Sequence, residues 1–439
     1  MHLTRIGALF GVLAWVLTLA PAAYAAEDPG RPLQWGLGAV GAPEAWSTGS
    51  GDGITIAVVD TGVDLAHEDL QGRLVPGKNF VDPSKQPQDD HGHGTHVAGI
   101  AAAATNNNKG IAGAAPDARI LPVKAMNAEG KSVEAAGGED SVVAAVRYAA
   151  DQGAAVINLS LGDAGIPAVL GPSFGEAVRY AWSKGSICVV AAGNSGEGGL
   201  SNGFVTSSNF GNEPALVVTS TSKAGTKPAY ASDIGAAKWG LAAPGGAGSG
   251  TAEDDILSAW WVAGRPNTYA YVAGTSMATP HVAGAAAVLR SLGLTPQQTV
   301  DRLLATARDI GAQGKDSVYG HGALDMKAAV AGLTPRPGPS VRNAPQAPAS
   351  PPTTRRGRGA TTSTSTVVIP APSTTETTVL PTVEPPDDKT GGLGDDSLEA
   401  AVPQNPIDDD ADGRSWGLLM FAVVALGAPL VLLGRLKPG

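Results

Sequence analysis

Between residues 33 and 333 the chain alternates two kinds of pattern. Continuous apolar runs occur at "ITIAVVD" (54–60), "RILPVKAM" (119–126), "AAVINLSLG" (154–162), "SICVVAAGN" (186–194) and "ALVVTST" (215–221). Their length and branched residues predict buried strands. Between them, "SVVAAVRYAADQ" (141–152) and "SFGEAVRYAWSKG" (173–185) repeat apolar residues at helical spacing. Two later helices carry their own punctuation. "TSMATPHVAGAAAVLRSLG" closes at Gly293, and "TPQQTVDRLLATA" opens with Thr295 as N-cap and Pro296 in the first turn. Strands that are apolar on both faces must be covered on both faces. The pattern therefore predicts an α/β domain of three layers, helices on either side of a mostly parallel central sheet. In such sheets functional groups gather at the carboxyl ends of strands, where Asp60, Ser160 and Asn194 lie.

The flanks break this pattern. Residues 1–25 contain Arg5, an apolar run from Ile6 to Leu19 and the small-residue pattern Ala23-Tyr24-Ala25, which reads as an export signal. Residues 335–413 are rich in proline, threonine and serine, turn acidic toward the end, and predict an extended solvated linker. The cluster "RRGR" (355–358) within it reads as a solvated charge patch. Residues 416–434 are uncharged and apolar, long enough for one membrane crossing. Asp408, Asp409, Asp410 and Asp412 precede that run, and Arg435 and Lys437 follow it. The positive-inside rule then places a short tail, 435–439, in the cytoplasm and the main domain outside. The expected location is the cell membrane, single-pass, with the domain on the extracytoplasmic side. "DDDADG" imitates the start of a calcium loop, but Leu419 stands where its closing glutamate would be.

Composition narrows the choice of chemistry. A net charge of −10 with 43% hydrophobic residues supplies a core but no basic footprint, so a nucleic-acid partner is not expected. The one cysteine, Cys188, cannot form an intramolecular disulfide and sits in an apolar strand as a small hydrophobe. Nothing here sets an oligomeric state.

The polar residues of interest begin with "DDHGHGTHVAGI" (89–100), whose His91, His93 and His96 offer two readings. The spacing could grip a metal, or one histidine could be a general base. The first reading resembles the H-x-H-x-D-H loop of metallo-β-lactamase-like hydrolases, but Thr95 replaces the aspartate, and His67, His281 and His321 lie in no matching context. In "GTSMATPHVAG", Ser276 stands where a glycine-containing loop enters an apolar helix. There, backbone N–H groups and the helix dipole favour a developing oxyanion. A serine hydroxyl needs a base beside it to act as a nucleophile.

"AVVDTGVD", "HGTHVAG", "AAGNSG" and "GTSMATPHVAG" together, with the closing "YGHGALD", resemble the subtilisin-like serine proteases, the subtilases, across residues 33–333. The Asp…His…Ser order at 60, 93 and 276 is that family's order. The resemblance implies a serine endopeptidase with Asp60 as the orienting carboxylate, His93 as the general base and Ser276 as the nucleophile. Asn194 and the Ser276 backbone N–H would form the oxyanion hole. Ser160, Leu161 and Gly162 would pair with extended substrate and wall the S1 pocket, with Ala191, Ala192 and Gly193 opposite and Gly130 in a second pairing segment. Met277 would be an oxidation-sensitive neighbour of the nucleophile. No cofactor is implied for catalysis. A structural calcium ion is implied at Asp69 and Asn107, with Gln34. Partners would be protein or peptide substrates in extended form. Only a few residues separate Ala25 from Gln34, so the inhibitory prodomain of many secreted subtilases is not expected. The layout of signal, protease, proline-rich linker and span also resembles the mycosins, whose usual disulfides a single cysteine cannot make.

Overall fold

The structure, a computed structural model, describes residues 28–161, 172–194 and 211–339. The predicted signal, the apolar run 416–434, the tail, Gly162 and nearly all of the linker lie outside those residues. Among the described residues no helix is long and apolar enough to cross a membrane.

Seven strands form one sheet: β1 (Thr55–Asp60), β2 (Lys78–Asn79), β3 (Arg119–Lys124), β4 (Val156–Leu159), β5 (Ile187–Ala191), β6 (Ala215–Thr221) and β7 (Trp239–Pro244). Their order is β2-β3-β1-β4-β5-β6-β7, and every pairing is parallel. Alternation along each strand sends successive side chains to opposite faces. Ile56 and Val58 of β1 join one core, while Ala57 and Val59 join the other.

Two short N-terminal helices, α1 (Trp35–Ala39) and α2 (Ala42–Trp46), precede β1. The first core packs against α3 (His93–Ala102) and α6 (Thr275–Ser291), and the second against α4 (Ser141–Asp151) and α5 (Pro172–Ser183). Helices α7 (Pro296–Thr306) and α8 (Met326–Val330) complete the order. The three-layer expectation therefore holds, with its five predicted strands and four predicted helices in place. Thr295 does cap α7, in a reciprocal capping box with Gln298.

Four strands escaped the pattern, the first of them β2, only two residues long. β7 reads "WGLAAP", short and ended by proline, and an edge position tolerates both. β8 (Ile256–Val262) and β9 (Arg265–Val272) form a separate antiparallel ribbon outside the sheet. Packing also reaches past the 33–333 span. Asp28 accepts N–H bonds from Asn106, Asn107 and Asn108, while Arg336 N–H donates to the Thr48 carbonyl and Gly338 N–H to Ser50 Oγ.

Candidate active site

Neighbouring strands β1, β4 and β5 end in Asp60, in Leu159 just before Ser160, and in Ala191 before Ala192, Gly193 and Asn194. Helices α3 and α6 begin at this same edge with His93 and with Thr275-Ser276.

His93 Nδ1 lies 2.7 Å from Asp60 Oδ1. A carboxylate only accepts, so Nδ1 carries the proton and Nε2 keeps its lone pair. Asp60 is fully buried, whereas the His93 side chain is 16% exposed. Burial alone would lower the His93 pKa, but the charge and hydrogen bond of Asp60 outweigh it, and the net shift is upward from 6.5. Asp60 Oδ1 also accepts the Thr61 N–H, while Oδ2 is buried without a partner among the described residues. A buried, underused carboxylate oxygen beside an imidazole is costly for folding and suited to stabilising an imidazolium.

Asp89 holds the segment that carries His93 in place. It is fully buried and accepts from the Thr61 hydroxyl, the N–H groups of His91 and Gly92, and both the N–H and hydroxyl of Thr95. These contacts fasten the end of β1 to the start of α3. Gly92 is required at its position, because φ is +107° and a Cβ would stand 2.5 Å from the Trp260 ring.

Ser276 occupies the first turn of α6, where its N–H has no partner within the helix. The Ser276 carbonyl would normally accept from the residue four positions on, but that residue is Pro280, which has no N–H. Ser160 Oγ takes the vacancy, donating to that carbonyl at 2.8 Å. The proline thus ties the serine-bearing turn to the end of β4. Asn194 Oδ1 accepts from both the N–H and the hydroxyl of Thr275 at 3.0 Å, which leaves its NH₂ as the outward donor.

The three histidines do not converge. His91 Nδ1 accepts the His93 N–H at 3.3 Å, and its ring stands edge-on to His93. Burial and the charge of His93 lower its pKa. His96 Nε2 donates to the carbonyls of Ile256 and Ala270 in the β8–β9 ribbon, and burial pushes its pKa down to about 3. Among the described residues no cluster of three or more His, Cys, Asp or Glu side chains could hold a metal.

The segment around Gly130 is a closed turn. Met126 pairs antiparallel with Ser132, Gly130 N–H donates to the Asn127 carbonyl, and Gly130 takes φ of +70°. Leu161, Ala191 and Ala192 are buried at the strand ends.

Asp69 and Asn107 meet at 2.9 Å, and Asp69 also accepts from Ile111 N–H and the Tyr269 hydroxyl. Gln34 grips the same loop through two bonds to the Ala112 backbone. Asp28 joins them from the other side of the loop. Burial raises the pKa of Asp69 and of Asp28, the latter also through the charge of Asp69. Asn107 turns its NH₂ to Asp69 and the Gln34 amide is bonded to Ala112, so the two buried carboxylates are the oxygen donors that would suit a hard cation such as calcium.

Asp89, Lys124 and Asp28 were not singled out in the sequence. The available signals were an acid four residues before the helix start and a lysine closing an otherwise apolar strand.

This fold, with its catalytic-type side chains at neighbouring strand ends, defines a class. The sequence matches the Subtilase family, peptidase S8, over residues 51–322, and the chain belongs to that family. It is a serine-type endopeptidase of the subtilisin-like kind. Thermitase of Thermoactinomyces vulgaris is 42% identical over 295 residues, covering 66% of this chain and 94% of its own. Subtilisin Savinase of Lederbergia lenta is 36% identical over 302 residues, 68% of this chain and 99% of its own. The crystal structure of MycP1 with its N-terminal propeptide removed superposes with a TM-score of 0.55 at 29% identity, over 70% of this chain and 99% of that one.

Proposed function

We propose that the chain hydrolyses peptide bonds of extracytoplasmic proteins while tethered to the cell membrane, with Asp60, His93 and Ser276 as its triad. The 2.7 Å bond between His93 Nδ1 and Asp60 Oδ1 carries this reading, since it leaves Nε2 as a base at the edge where Ser276 begins α6. In the reaction His93 Nε2 takes the Ser276 hydroxyl proton as Oγ attacks the substrate carbonyl. The Asn194 amide and the Ser276 N–H then stabilise the oxyanion. His93 returns the proton to the departing amine, leaving an acyl-enzyme, and water repeats the sequence to release the acid. Ser160–Gly162 and the Gly130 turn would pair with the substrate backbone as an added strand. The tether rests on the uncharged run 416–434 and the basic residues after it.

A structural calcium ion would be held by Asp69 and Asp28, with Asn107 and Gln34 beside them, and would supply positive charge against the two carboxylates. Chelation should then lower the melting temperature, and added calcium should restore it.

A fluorophosphonate probe tests the triad. Labelling of Ser276 in the wild type that disappears in His93→Ala supports it. Well-folded protein that takes no label, yet loses activity on zinc removal and regains it with zinc, would overturn it. Release of the domain from membranes only after cleavage within 340–415 would support the tether.

A further inference from the structure

Among the described residues Lys124 is the one lysine in the sheet's interior, at the carboxyl end of β3 and opposite Asp60 in the parallel register. Its side chain is only 4% exposed. A buried ammonium is costly unless every donor is met, and here three acceptors meet its three N–H bonds. Nζ donates to the Thr61 carbonyl at 2.5 Å, to Asp90 Oδ1 at 2.6 Å and to the Met126 carbonyl at 3.0 Å. Those acceptors come from three separate segments. Thr61 directly follows Asp60, Asp90 belongs to the loop that delivers His93, and Met126 opens the turn carrying Gly130.

The geometry assigns to Lys124 the part of a positioning residue that holds the carboxylate, the base loop and the substrate-pairing turn in mutual register. This rests on the triad reading above. Other contacts fasten the same segments pairwise. Asp60's carbonyl accepts the N–H groups of Ala125 and Met126, and Asp89 links Thr61 to α3. Only the Lys124 ammonium touches all three segments at one atom. An apolar residue would cover the strand equally well, but it would leave two carbonyls unpaired and the 90-loop free to shift. A shift of about 1 Å at a catalytic group can cost about a hundredfold in rate.

Two exchanges test this, with turnover expressed per active site titrated by the fluorophosphonate. Lys124→Met should lower kcat tenfold to a hundredfold per titrated site. The loss should be larger for a tetrapeptide amide than for a single-residue ester, because the substrate-pairing turn is loosened too. Asp90→Ala, at a side chain 45% exposed, should fold normally and lose severalfold in kcat, while Asp90→Asn, which keeps the acceptor oxygen, should retain most activity. A merely structural role would lower the melting temperature and the titratable fraction but not turnover per site. If Lys124→Met does not fold, Asp90→Ala against Asp90→Asn decides the matter. Wild-type turnover per titrated site in Asp90→Ala, and in Lys124→Met where it folds, overturns the assignment and leaves the triad standing. Failure of wild-type Ser276 to label overturns both.

Discussion

The two faces of the central sheet differ in kind. The face under α4 and α5 is built mainly from apolar residues such as Val142, Val146, Phe174, Val178 and Cys188. The face under α3 and α6 buries His96, Thr95, His281 and Asp89 within or beside its apolar cluster. Most of those polar groups have a named partner, as buried polar groups must. Under α4 and α5, Cys188 fills space, and burial pushes its thiol up to about 12. On the other face, hydrogen bonds decide where His93 and Ser276 stand. One side supplies stability cheaply, and the other spends part of it on position.

The sharpest way to break this contrast is at the proposed triad. His93→Ala should abolish proteolysis, and Asp60→Asn should cost about 10⁴ in kcat through the wrong tautomer. Asp60→Asn should also move the acid limb of kcat/KM downward. The raised His93 pKa places that limb above 6.5 in the wild type, and Asp60 is what raises it.

Next comes the plain face. Phe174→Ala should destabilise by about 3–5 kcal/mol in urea denaturation while leaving kcat of the folded enzyme unchanged. A matching loss of kcat would mean that the two faces are coupled.

Asn194→Leu should lower kcat by about 10²–10³, a range itself established for a subtilisin oxyanion donor, with little change in KM.

The pH dependence of folding separates the faces further and is best followed by denaturation of a Ser276→Ala variant. His96 and His281 are held neutral by burial, with pKa values down to about 3 and about 4. Their folded pKa values lie below the ordinary 6.5, so the unfolded chain binds more protons as acid is added. Their stabilising contribution is complete above 6.5 and shrinks as pH falls toward those values. Asp28 and Asp69 act oppositely, since their raised pKa values make protonation favourable in the folded state. His96→Asn should flatten the histidine part of the curve.

The smallest effect is expected at His91→Ala. This loop residue accepts one bond from His93 N–H, and most activity should survive in a standard peptide assay.

Much of this was legible in the chain itself. Apolar runs of five to seven residues could only be buried strands, and alanine-rich amphipathic stretches between them forced the parallel arrangement. The four motif segments pointed to Asp60, His93, Asn194 and Ser276 through their resemblance to the subtilases. The ribbon β8–β9 was not legible, since its strands alternate only partly and owe their place to α3, whose His96 bonds to both of them. Lys124 was hidden for a related reason. A lysine at the end of an apolar strand reads as an exposed terminus, and only the convergence on its ammonium of the distant Thr61 and Asp90 with the nearby Met126 carbonyl shows otherwise.

Sequence alone therefore determined the class of the fold and, through the family resemblance, the candidate reactive groups and the order in which they appear. Local patterns suffice for these, because burial and helix capping act within a few residues. The tertiary structure alone decided that the Ser276 carbonyl, left open by Pro280, is taken by Ser160, and that His96 turns to the β8–β9 ribbon. It also decided that Asp89 and Lys124 bind strand ends and loops far apart in the chain. Those choices depend on where oxygen and nitrogen atoms of remote segments meet, at distances of about 3 Å that no spacing along the chain can specify.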